Sequence, residues 1–137
     1  MPSSFELREH TADVAVAARG DDLGAVFAAV ADGLTAAMCE DVTEVGERFT
    51  LTVHAESREA LLFEYLDDLI YERDVRGVLP ADHEARVRSR DGWTLEASAR
   101  GVPLDAVVAR EVKAVTYSEM RLEETDDGWE AYVVFDV

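Results

Sequence analysis

Apolar residues recur at three- and four-residue spacing in two windows of the chain. Leu23, Val26, Phe27, Val30, Leu34 and Met38 form the first stripe, the mark of a helix with one buried face. Asp21-Asp22 stands before it, where free backbone N–H groups and the helix dipole favour a carboxylate. Gly33, inside the window, predicts a close approach of this helix to a sheet. Leu61, Leu62, Tyr65, Leu66, Leu69 and Ile70 form the second stripe, with Ser57 as its cap. Glu59, Glu64, Asp67, Asp68 and Glu72 lie on its other side as a solvated face.

Elsewhere the period shortens to two. Phe5 to Arg8 and Asp13 to Ala18 read as extended segments. Phe49, Leu51, Val53 and Ala55 alternate with Thr50, Thr52, His54 and Glu56 as a half-buried strand, with His54 on the solvent side. Asp91-Gly92 is the pair a tight type I′ turn demands, and predicts a hairpin of Arg86 to Arg90 with Trp93 to Arg100. A second hairpin joins Val112 to Glu123 with Trp129 to Val137 around Asp126-Asp127-Gly128. A four-residue loop there sets Leu122 opposite Ala131, Met120 opposite Val133 and Tyr117 opposite Asp136. Lys113 then lies ~13 Å from Asp136 by strand rise. Residues 101–110 fit neither period. The pattern predicts a single α+β domain spanning 1–137, two helices packed on a mostly antiparallel sheet.

Composition narrows the class. Among 137 residues, 30 acids against 13 bases give a net charge of −17, while 48% hydrophobic content is ample for a core. This charge argues against DNA, extensive direct RNA contact and anionic membranes as main partners. Twelve of the bases are Arg and one, Lys113, is Lys. Acid excess with almost no Lys suits a cytoplasm of high salt, where solvated carboxylates maintain solubility and screening blunts their repulsion. The single Cys39 excludes an internal disulfide and a Cys-based zinc cluster, and its place at the end of a helix predicts a buried thiol. No signal-like leader or membrane-length apolar run is apparent, so a cytoplasmic location is expected.

Three segments carry candidate chemistry. Glu9-His10-Thr11-Ala12-Asp13 breaks two strands, either as a surface turn or as a loop that aims side chains at a site. Glu111-Val112-Lys113-Ala114-Val115-Thr116-Tyr117 is either a solvated strand face or a functional one, and the lone Lys favours function. Val133-Val134-Phe135-Asp136-Val137 keeps strand alternation to its last residue, bringing the Asp136 carboxylate and the α-carboxylate of Val137 close together. With Asp13 these are oxygen ligands suited to a hard cation, Ca²⁺ or Mg²⁺. Walker A, GxSxG, HExxH and dinucleotide motifs are absent. His10, His54 and His83 have no metal-site spacing, and no nucleophile accompanies His10.

These three segments, in this order over a chain of this length, resemble the archease family. The resemblance implies an accessory protein rather than an enzyme: a partner of the GTP-dependent tRNA-splicing RNA ligase that promotes guanylylation of the ligase's catalytic histidine and its repeated turnover. It implies metal ligation by Asp13, Asp136 and Val137, with Ca²⁺ the ion linked to the family. Lys113 belongs to the functional surface, with His10 and Glu111 in support, and tRNA is contacted indirectly. Ser118 stands where many members carry His, so no role is carried over to that position. A metal-dependent phosphoesterase and a general chaperone or binding module are the alternative functions.

Overall fold

The computed structural model describes residues 3–9 and 13–137. Seven strands and two helices follow in the order β1 (Ser4–Glu9), β2 (Asp13–Gly20), α1 (Leu23–Met38), β3 (Glu47–Ala55), α2 (Arg58–Arg76), β4 (Val78–Ser89), β5 (Trp93–Pro103), β6 (Ala114–Thr125) and β7 (Gly128–Asp136). A short 3₁₀ turn, Leu104–Ala106, follows β5. The caps are those expected: Asp22 Oδ1 accepts the Ala25 N–H at 2.8 Å and Ser57 Oγ accepts the Ala60 N–H at 3.1 Å. Gly77, left-handed at φ 66°, ends α2.

The strands divide between two sheets rather than joining one. Four are ordered β1-β2-β7-β6 and three β3-β5-β4, all their pairings antiparallel. α1 touches both sheets. A Cβ on Gly33 would meet Val16 of β2 at 2.5 Å, and one on Gly24 would meet the Ala85 carbonyl of β4 at 2.4 Å. The predicted close approach is therefore present and doubled. Phe27 of α1 stacks on Tyr65 of α2 at 6.3 Å within one core.

Two bulges depart from the simple alternation. In β4, Asp82 and His83 fall between the partners Ala81 and Glu84, with Asp82 at φ 50°. In β6, residues 117–120 span a single position of β7, between the pairs Thr116–Val134 and Arg121–Tyr132. Residues 101–110 complete β5, make the 3₁₀ turn and continue as an irregular segment that leads to Lys113.

Candidate functional site

Asp13 is the first residue of β2 and Asp136 the last of β7, and the antiparallel register sets them directly opposite each other. Alternation explains this placement. Val14 and Phe135 are fully buried, so their neighbours Asp13 and Asp136 fall on the other face. Directly opposed residues have Cα atoms ~5 Å apart, a separation at which two carboxylates repel. Among the described residues, Asp13 Oδ1 is buried and finds no hydrogen-bond partner. Desolvating a carboxylate oxygen beside a like charge is costly unless a cation is supplied.

Asp136 is also opposite Ala114 of β6, and its carbonyl accepts the Lys113 N–H at 2.8 Å. The expected separation of Lys113 from Asp136 is thus corrected to direct main-chain contact. Leu122 does oppose Ala131 as the sequence register requires, but that register fails beyond the bulge. Thr116 Oγ1 donates to the Val134 carbonyl at 3.0 Å and accepts the Ser118 N–H at 3.2 Å, while Glu119 adopts φ 55°. These bonds absorb the extra residues. Tyr117 consequently does not oppose Asp136. It stacks on Phe63 of α2, with ring centroids 4.1 Å apart and planes within 8°.

A buried cation supports the peptide between residues 112 and 113. Arg73 of α2 donates from Nη1 to the Val112 carbonyl at 2.8 Å and from Nε to Asp74 at 3.0 Å. Val112 is fully buried and Lys113 exposed, so the backbone is anchored beneath an exposed lysine. The sequence carries a signal for this residue. Arg73 continues the stripe of Leu66, Leu69 and Ile70 at helical spacing, a charge where an apolar residue is due.

The structure therefore brings Asp13, Asp136 and Lys113 to one end of the four-stranded sheet. Val137 follows Asp136 and packs partly against the core, and Glu111 is exposed two residues before Lys113. His10 lies outside the described residues. Among the described residues, no three His, Cys, Asp or Glu side chains converge as a metal-holding group, so a cation held here needs oxygens beyond the two aspartates.

A second polar cluster lies in the interior. Thr35 Oγ1 lies 2.7 Å from the Pro80 carbonyl and 2.8 Å from His83 Nε2. With the hydroxyl proton given to Pro80, Nε2 is the donor and Nδ1 is left as a bare acceptor, and Nδ1 has no partner among the described residues. Burial lowers the His83 pKa to about 4. Asp32 Oδ1 accepts the His83 N–H at 3.2 Å, yet burial raises its carboxyl to about 6. Cys39, the C-cap of α1, is buried as expected, and His54 is bonded to Thr94 at 2.9 Å.

Fold and site define a small α+β protein with paired strand-end carboxylates and an adjacent lysine. Residues 5–137 match the model of the Archease protein family. The protein archease of Thermococcus gammatolerans is 39% identical over 97% of this chain and 98% of its own, and that of Pyrococcus abyssi 34% over the same shares. The solution structure of protein 1598 of Methanobacterium thermoautotrophicum superposes with a TM-score of 0.85 at 29% identity, covering 98% of this chain and 99% of the other. A crystal structure from Thermotoga maritima, described as an archease and possible chaperone, shares the fold with a TM-score of 0.62 at 23% identity over 96% of each chain. The chain belongs to the archease family. No described helix is long and apolar enough to cross a membrane.

Proposed function

We propose that this protein is a non-catalytic accessory of the GTP-dependent tRNA-splicing RNA ligase, promoting guanylylation of the ligase and its repeated turnover during tRNA maturation. The observation that carries the reading is the convergence of Asp13, Asp136 and the Lys113 peptide at one sheet end. The family's implied role requires a surface that enters a nucleotide site and handles phosphate charge there.

The residues fit a hard cation, Ca²⁺ or Mg²⁺. The orphaned Asp13 Oδ1 and its opposed neighbour Asp136 offer carboxylate oxygens, and a main-chain oxygen of Val137 completes the protein's share. When bound, the cation supplies positive charge to phosphate oxygens. Lys113 offers a compact ammonium to phosphate or to an acidic group of the ligase. Its backbone is fixed on both sides of one peptide, so the ammonium is presented from a set position. Glu111 and His10 orient this surface, and tRNA is met through the ligase rather than gripped directly.

Guanylylation of the ligase, followed with wild-type, Asp13→Ala, Lys113→Ala and Asp136→Ala proteins, tests the assignment. Each substitution is expected to reduce stimulation at least tenfold, the scale of ~1.4 kcal/mol. Undiminished stimulation by all three would remove the site from the reading. Release of phosphate by the purified protein alone would favour a phosphoesterase instead.

A further inference from the structure

The segment that fits neither sequence period has an unusual composition for a surface loop. Leu104, Ala106, Val107, Val108 and Ala109 are five apolar residues among the seven of 104–110. Connecting segments at a surface are ordinarily polar and tolerant of change. Leu104 and Val107 pack partly on the core, but Val108 is 95% exposed. With the last turn of α1, this segment encloses an open groove of about 990 Å³.

The groove has apolar side chains on its floor and charged ones around it. Ala36, Ala37 and Met38 of α1 face the segment, and Leu7 of β1 joins them. Leu7 is 36% exposed although its cross-strand neighbour Val16 is fully buried, because β1 is the outer strand of its sheet. Arg110 fixes the far end of the segment. Its N–H donates to the Met38 carbonyl and its Nε to the Ala37 carbonyl, both at 2.7 Å. A surface ordered before binding loses little entropy when a partner arrives.

Glu40, Asp41 and Asp105 stand around the apolar floor, against one lining cation, Arg110. A second copy of this chain, also at −17, sets acids against this rim at contact distance, where partly buried charges are screened least. A partner with Arg or Lys beside its apolar residues is attracted. The segment also runs on through Val112 to Lys113, so an occupant of the groove lies against the same stretch of chain that delivers the lysine to Asp136.

We propose that this groove docks an extended segment of the RNA ligase, apolar in its middle and flanked by basic residues. The proposal rests on the ligase reading above and adds where the partner is held. Apolar contact supplies most of the affinity in high salt, and the acidic rim selects the occupant.

Val108→Asp is the direct test, because a side chain this exposed is replaced without disturbing the core. Affinity for the cognate ligase is read by calorimetry, together with stimulation across a range of accessory concentrations. The expected result is a dissociation constant raised roughly tenfold or more, an unchanged melting temperature, and full stimulation recovered at saturation. Val108→Ile should bind like wild type. Unchanged ligase affinity in Val108→Asp would overturn the groove assignment while leaving the ligase reading intact. A shift in self-association with ligase affinity unchanged would also overturn it, by assigning the groove to a second copy. If the wild-type protein neither binds nor stimulates the ligase, the functional reading fails and the groove assignment with it.

Discussion

Arg73 and Val112 are joined through a buried hydrogen bond of 2.8 Å from guanidinium to carbonyl. The same peptide group carries the Lys113 N–H, which is bonded to the Asp136 carbonyl on its other side at 2.8 Å. One planar unit thus links a cation beneath the surface to the candidate site above it. Polarisation of the carbonyl by a charge strengthens the opposing N–H bond. Arg73→Met removes the donor and leaves a buried carbonyl unsatisfied. The expected loss is ~2–4 kcal/mol in denaturant unfolding, with faster amide exchange at Lys113 and reduced ligase stimulation by the protein that remains folded. Arg73→Lys should recover part of the stability but less of the exchange protection, because one ammonium does not reproduce the fork to Val112 and Asp74.

The opposed pair Asp13 and Asp136 predicts a stability measurement independent of any ligase. Asp13→Asn relieves repulsion across the β2–β7 register and is expected to stabilise the cation-free protein by ~0.5–1 kcal/mol. Addition of Ca²⁺ should raise the melting temperature of the wild type and leave Asp13→Asn nearly unmoved. Equal responses in the two proteins would count against a cation at this pair.

Gly24 tests the junction of α1 with β4. Alanine gains ~1 kcal/mol of helix propensity over glycine. Its Cβ would lie 2.4 Å from the Ala85 carbonyl oxygen, and that backbone is held within a sheet. The clash outweighs the propensity, so Gly24→Ala should lower stability by ~1–3 kcal/mol in urea unfolding.

Asp32 and His83 give opposite slopes of stability with pH. The folded pKa of His83, about 4 against an ordinary 6.5, makes the unfolded chain the better proton binder between those values, so stability falls as pH drops through this window. The folded pKa of Asp32, about 6 against 3.8, makes the folded chain the better binder, so stability rises as pH drops from 6 towards 3.8. The two effects oppose each other between about 4 and 6. Asp32→Asn keeps an acceptor for the His83 N–H and removes one slope. It should be more stable than wild type at pH 7, by ~1 kcal/mol after allowance for solvent screening, and should lose stability more steeply on acidification from 6.5 to 4. Parallel stability profiles for the two proteins would contradict this.

The parts of the fold legible in the sequence were those governed by local periods. Both helices, their caps and the alternation that sets Phe135 inward and Asp136 outward follow from residue spacing. Asp91-Gly92 marked its hairpin, but the tight two-residue turn is corrected to a loop of residues 90–92, because Ser89 and not Arg90 pairs with Trp93. Division into two sheets was not legible, because it depends on long-range pairing. The β6 bulge was hidden for a different reason. Thr116 satisfies extra backbone with its hydroxyl, and Tyr117 finds Phe63 on a distant helix, neither of which changes the apolar pattern. Asp13, Lys113 and Asp136 stood out as motif residues, whereas their contact required the register beyond that bulge. Arg73 and the apolar character of residues 104–110 were visible in the sequence, and their meaning depended on the loop they flank.

Ligation itself is the direct test of whether this protein acts on an RNA ligase. The cognate ligase, limiting and in high salt, is given RNA ends bearing a 2′,3′-cyclic phosphate, with and without this protein. Many products per ligase molecule are expected when wild-type protein is present, and about one or fewer with Asp136→Ala. Equal product yield with and without the wild-type protein would contradict it.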